Sequence, residues 1–335
     1  MKVRSVMKLP FTLLLLVFIT SFFCGSSFAT DIGSWTTPSR LGHQTFSAAS
    51  NNINGFIFLD DSLELQSSTV TCTWNTTYPV RGPMTLNGGM IYLEQDFVFS
   101  NSAEILKGSA GVDGNVGFID GYGKTMDFSE SMSALEFDKR FLIMENLYLN
   151  LNTNTKLEGA LEFRGTSTLD CKGHILDLSS SGTIALGENA NLSICNARIK
   201  GLASDSVDDV FGRLTMGGTS HLYLSDLTLV LSSNYSLTVG NMDIYGDVYI
   251  EGDSNTFTHK NSDKITINAD STLYLGRGVT YNHNTDADDL VLRSGSVLNG
   301  NGSTIAVASG KSLTLDTGTF VVNDKVTIDD NGSGL

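Results

Sequence analysis

The chain has 335 residues, with 36 acidic against 21 basic side chains and a net charge of −15. That charge repels nucleic acid and anionic lipid surfaces, so neither is an expected partner. Gly is abundant at 34 and Pro scarce at 4, and no stretch carries an apolar i, i+3, i+4, i+7 stripe for three turns, which excludes a helical architecture.

In chain order, residues 1–29 read as a secretory signal peptide. Lys2, Arg4 and Lys8 precede an apolar run from Leu9 to Phe23, and small residues at Ser27 and Ala29 mark a cleavage site. The run is short for a membrane span, which needs about 20 apolar residues. An uncleaved anchor is the alternative. Lipid modification of Cys24 is disfavoured by the bulky Ser21-Phe22-Phe23 before it. Cleavage leaves 306 residues and, with three basic residues removed, a charge of −18. No later segment is long and apolar enough to cross a membrane. The expected location is extracytoplasmic, either secreted or at the cell surface.

Residues 30–61, with Trp35, Pro38 and the Ser/Ala/Asn-rich stretch from Ser47 to Asn54, read as a leader or cap. Residues 62–335 read as a repeat. Apolar residues recur at offsets 0, 2, 8, 10 and 15. The pattern fits Leu161, Phe163, Leu169, Cys171 and Leu176, and again Ile184, Leu186, Leu192, Ile194 and Ile199. It starts again at Leu214 and at Ile305, and in its first four positions at Ile265. Polar stretches such as Gly187-Glu188-Asn189-Ala190-Asn191 and Ala308-Ser309-Gly310-Lys311-Ser312 separate the first two pairs. Two apolar residues two apart make a short strand with one inward face. A polar turn then bends the chain so that the next strand faces inward from another side. One coil cannot bury its apolar face alone, but stacked coils bury a continuous column. The predicted fold is therefore all-β, a single-stranded parallel β-helix (β-solenoid). An antiparallel sandwich has no reason to repeat one template.

Three cysteines remain after cleavage: Cys72, Cys171 and Cys195. This is too few for a disulfide scaffold. Cys171 and Cys195 lie about one coil apart, which leaves either a stacked pair or two small buried apolar residues.

The segments Ile119-Asp120-Gly121-Tyr122-Gly123-Lys124-Thr125-Met126-Asp127-Phe128 and Gly173-His174-Ile175-Leu176-Asp177-Leu178 resemble the turn-and-strand units of the pectin-lyase-like right-handed parallel β-helix superfamily. Asn191-Leu192-Ser193-Ile194-Cys195-Asn196-Ala197-Arg198-Ile199 resembles one of its coils. The resemblance implies a right-handed coil and admits two kinds of activity: cleavage of acidic polysaccharide, or adhesion. Fold does not choose between them.

Hydrolases of that superfamily share N-T-D, D-D, G-H-G and R-I-K motifs. Here Asn284-Thr285-Asp286, Asp208-Asp209, Asp288-Asp289 and Arg198-Ile199-Lys200 match three of them out of order, and no G-H-G exists. The matches read as coincidence, with Arg198 and Lys200 as outward residues flanking an inward Ile199. Two acidic loops remain. Asp205, Asp208 and Asp209 form an oxygen-rich cluster that is a candidate Ca²⁺ site. Asp286, Asp288 and Asp289, with Arg293 and Arg277 close in sequence, form the candidate catalytic cluster. Both loops also read as plain turns. The histidines His43, His174, His221, His259 and His283 are scattered without metal spacing, so no zinc cofactor is expected. Tyr223, Tyr245, Tyr249, Tyr274 and Tyr281 are candidates for an aromatic platform. The expected function is a secreted or cell-surface solenoid with a structural, adhesive or glycan- or partner-binding role. The alternative is a polysaccharide lyase or glycoside hydrolase, which predicts that the tyrosines and the second acidic loop converge on one face.

Overall fold

The computed structural model describes residues 89–99, 117–128, 134–179, 182–203, 213–260, 264–286, 288–315, 317–322 and 327–329, together with strands between 30 and 85. It is all-β, without a helix among those residues, and its parallel strands stack as a β-solenoid of about 8 turns. The first acidic loop, with Asp205, Asp208 and Asp209, lies outside the described residues.

Each coil has three sides, here called faces A, B and C. Face A runs through Thr183–Leu186 and Leu214–Met216, then Tyr235–Leu237, Thr256–Lys260, Thr280–Asn284 and Thr304–Val307. Face B runs through Thr166–Asp170, Asn191–Cys195, 221–225, 241–245, Ile265–Ile267 and Leu290–Leu292. Face C runs through Ile175–Asp177, Arg198–Leu202, 227–231, 247–251, Thr272–Leu275 and Val297–Asn299. Upstream, Thr30–Ile32, Ser50–Asn54 and Thr71–Asn75 pair in the same parallel sense.

Strand phase decides what is inside. In His221–Leu231 the even-numbered Leu222 and Leu224 point inward, the chain bends at Asp226, and Leu227, Leu229 and Leu231 then point inward. The buried side chains form one cluster from Cys72 to Ile305. Each fully buried Leu or Ile contributes about 1.5–3 kcal/mol relative to exposure.

Two kinds of corner repeat. In the first, the fourth residue donates its N–H to the first carbonyl: Ala190 to Gly187 at 3.1 Å, Ser271 to Asn268 at 3.2 Å, Val279 to Gly276 at 3.1 Å and Ser296 to Arg293 at 3.0 Å. The third residue is left-handed, with φ of 59° at Asn189, 57° at Asp270, 79° at Gly278 and 82° at Gly295. A positive φ at that place is the mark of a type II turn. The second kind is a single left-handed residue. Asp226 (φ 51°) stacks over Gly246 (φ 57°), and its Oδ1 accepts the Asp247 N–H at 3.2 Å. A Cβ on Gly246 would lie 2.1 Å from that oxygen.

The two segments that carry the resemblance make the same turn at different corners. Gly123 and Gly173 each donate to an Asn carbonyl of the next coil, Asn146 and Asn196, at 2.6 Å. The first turn joins face A to face B, the second face B to face C. The repeat match at Ile265 is likewise displaced by one side. Ile265 stacks on Met242 of face B, not on face A, because all three faces share the same two-residue alternation. Cys171 and Cys195 are both free. Cys195 sits opposite Asp170 and half-exposed, while Cys171 is buried, so their side chains do not stack.

Candidate functional site

The second acidic loop is the corner between Thr280–Asn284 and Leu290–Leu292. Asp289 is buried, and its Oδ2 accepts from the Thr285 hydroxyl and from the Asp286 N–H at 3.1 Å. Its own N–H donates to the Asp286 carbonyl at 3.1 Å. Asp289 therefore closes a turn. Asp286 and Asp288 are exposed, and Asp286 faces Lys311 with Oδ1 to Nζ at 3.4 Å. Arg293 is an exposed corner residue whose backbone N–H donates to Ile267 at 3.0 Å. Arg277 lies at the corner after face C, away from this loop. Among the described residues, no group of three or more His, Cys, Asp or Glu side chains is placed to hold a metal ion.

The five tyrosines divide three ways. Tyr281 is inside face A, wholly buried. Tyr223 and Tyr245 are on face B, with ring centroids 6.4 Å apart and tilted. Their surroundings are tied up within the sheet: Tyr223 donates to Asn191 at 3.4 Å, and His221 lies 3.7 Å from Asp243. Tyr249 and Tyr274 are on face C, stacked at 4.3 Å with only 7° between planes. The tyrosines and the second acidic loop thus do not converge.

Face C carries the groove. Register places Arg198, Thr228, Tyr249 and Tyr274 in one outward column on successive coils, which ends on the buried Asn299. Tyr274 covers one face of the Tyr249 ring. The other face looks toward Thr228, whose small side chain leaves a slot beside Tyr249; the strand of Arg198 lies two strand spacings, about 9–10 Å, from that of Tyr249. An open depression of about 780 Å³ spans this slot, lined by Lys172, Asn196, Arg198, Asp226, Asp247 and Tyr249 among others. A second, of about 750 Å³, continues from Arg198 and Tyr249 past Glu251, Asp253, Tyr274 and Arg277 to Asn301.

The groove is electrostatically mixed. Arg198 reaches across the intervening coil to Glu251, Nη2 to Oε2 at 2.7 Å. Lys172 pairs with Asp170 at 2.7 Å, and hydrogen bonds from Lys172 and Asn196 outweigh partial burial to hold the Asp170 carboxyl below its ordinary range. Arg277 has no ion-pair partner among the described residues. Burial, then the neighbouring Tyr274, pushes the Tyr249 phenol up, so it is a neutral hydrogen-bonding hydroxyl at physiological pH.

Sequence reasoning found Tyr249 and Tyr274 but set Arg198 aside and missed Glu251 and Asn301. For Arg198 the signal was available: if Ile199, Leu229, Ile250 and Leu275 are inward partners, the residues before them form one column. Comparison with protein-family models, with curated proteins and with solved structures found no match for this chain.

Proposed function

We propose that the protein is a secreted or cell-surface β-solenoid that binds glycans along face C and acts as an adhesive or structural module rather than as an enzyme. The observation that carries this reading is the stack of exposed Tyr249 on half-buried Tyr274 beside the slot over Thr228. A sugar ring presents an apolar C–H face to an aromatic surface and hydroxyls to its rim. Tyr supplies the flat apolar body, and Arg198, Asn196, Asp247 and Glu251 supply donors and acceptors around it. The groove is open and shallow, which suits a chain lying across several coils better than an enclosed small molecule. The signal-peptide pattern and the acidic, soluble surface fit an exported protein.

The second reading is a polysaccharide lyase or hydrolase, supported by the segments that resemble pectin-lyase-like β-helices and by the carboxylates Asp226, Asp247, Glu251 and Asp253 in the groove. Glycoside hydrolysis needs two carboxyl groups poised about a sugar. Here Glu251 is bridged to Arg198, and the loop with Asp286 and Asp288 is at a different corner.

The test is affinity electrophoresis of the chain from Thr30 onward in gels containing neutral or acidic polysaccharides, beside reducing-end and unsaturated-sugar assays. Retardation lost in Tyr274→Ala, without product formation, is the expected result. Product formation abolished by Asp247→Asn would establish the enzymatic reading. Neither retardation nor product from folded protein would overturn both.

A further inference from the structure

Inside face A lies a column of polar ring side chains packed against the apolar core. His259 and His283 are both wholly buried, one coil apart, with ring centroids 5.7 Å apart and edge-on. His259 Nδ1 is 3.2 Å from the hydroxyl of Tyr281, which is also fully buried. His283 Nε2 lies 3.1 Å from the Asp286 carbonyl, which can only accept, so this nitrogen carries the proton in the neutral ring. The His283 Nδ1 is buried and has no hydrogen-bond partner among the described residues. Protonation would put a second N–H and a positive charge in the core, where the Ser312 backbone and the Asp289 carboxylate offset burial only in part. Leaving a buried charge unpaired is among the costliest events in a fold.

We infer that His283 is an acid-sensitive latch: its protonation opens the coils that pack on it, those of Thr256–Lys260, Thr280–Asn284 and Thr304–Val307. The groups facing His283 from each side decide the sign. The preceding coil offers His259, and the following coil presents apolar Val307 together with Lys311 and the Ser312 backbone. Its own corner offers the Asp286 carbonyl and the Asp289 carboxylate, the latter already bonded to Thr285 and the Asp286 N–H. Burial dominates these and holds the imidazole below its ordinary range. For a base with a lowered folded-state value, stability is fully present above the unfolded value of about 6.5 and is lost as pH falls below it. Carboxylates stay ionised down to about pH 5, so the window from 6.5 to 5 isolates histidine.

The experiment is hydrogen exchange on the full mature chain, corrected for intrinsic rates, comparing 280–284 and 304–307 with the control strand Asn191–Cys195. One proton taken up on opening raises the open population about tenfold per pH unit below 6.5. His283→Leu lowers that slope by about tenfold per unit at 280–284 and leaves the control strand unchanged. Equal slopes in wild type and variant would overturn the latch. If the Leu variant does not fold, imidazole NMR of the wild type decides. A His283 ring that stays neutral in the folded species to pH 5, while folded intensity falls, supports the latch. A ring that titrates near 6.5 in an unchanged fold overturns it.

Discussion

The same coils carry two aromatic ladders, one outside face C and one inside face A. Tyr249 and Tyr274 stack at 4.3 Å on the surface. Tyr235, Phe257 and Tyr281 follow one another in the core with ring centroids 5.5 and 6.2 Å apart, the first pair tilted and the second stacked. Chemistry does not distinguish them, since both are phenol-rich and both follow the coil spacing. Phase does. Tyr249 lies between inward Val248 and Ile250, whereas Tyr281 lies between outward Thr280 and Asn282. A shift of one residue turns an outer surface into a core, because side chains alternate along a strand.

The largest expected effect is on the inner ladder. Tyr281→Ala removes a fully buried ring and should cost about 3–5 kcal/mol in urea unfolding. Tyr249→Ala should cost only about 0.5–1.5 kcal/mol, the worth of the exposed stack. Equal costs would break the comparison. Next comes the corner that sets phase between the faces. Gly246→Ala forces a Cβ into the Asp226 carboxylate at a left-handed position, at a cost of about 1–3 kcal/mol, and should also weaken glycan retardation by displacing the strand that carries Tyr249. Gly218→Ala is the control: a Cβ there meets nothing within 4 Å, so its stability should stay within about 0.5 kcal/mol of wild type. The smallest effect is at the Arg198–Glu251 pair. Both side chains are about two-fifths exposed, so Glu251→Gln should change stability by about 0–1 kcal/mol in double-mutant cycles with Arg198→Ala.

Much of the fold was legible in sequence because the inward positions are aliphatic and the turns carry their own chemistry. Asn189 and Gly310 sit where a left-handed residue is required, and the spacing of Leu161, Ile184 and Leu214 is the coil itself. What the alternation could not supply was which face a strand joins, so Ile265 matched the template one side out of phase. The buried histidines were obscured because a template of apolar residues reads His259 and His283 as polar, although Thr-Phe-Thr-His and Thr-Tyr-Asn-His stand in register. The candidate site was half legible. Its tyrosines stood out, but Arg198 reads in sequence as an ordinary outward strand residue, and Glu251 gained meaning only when the coils brought it to Arg198 across the strand between them. The second acidic loop, which in sequence reads both as a candidate catalytic cluster and as a plain turn, is a corner whose buried carboxylate, Asp289, accepts from its own backbone.

The central claim is that glycan binds on face C at the Tyr249–Tyr274 stack, and ¹⁹F NMR of protein labelled with 3-fluorotyrosine tests it most directly. Resonances would be assigned by single Tyr→Phe variants, and the glycan that retards the protein most would be titrated in. The account predicts that the Tyr249 and Tyr274 signals shift while those of Tyr223 and Tyr245 on face B, and of buried Tyr281, stay fixed. Shifts at Tyr223 and Tyr245 with none at Tyr249 and Tyr274 would contradict it.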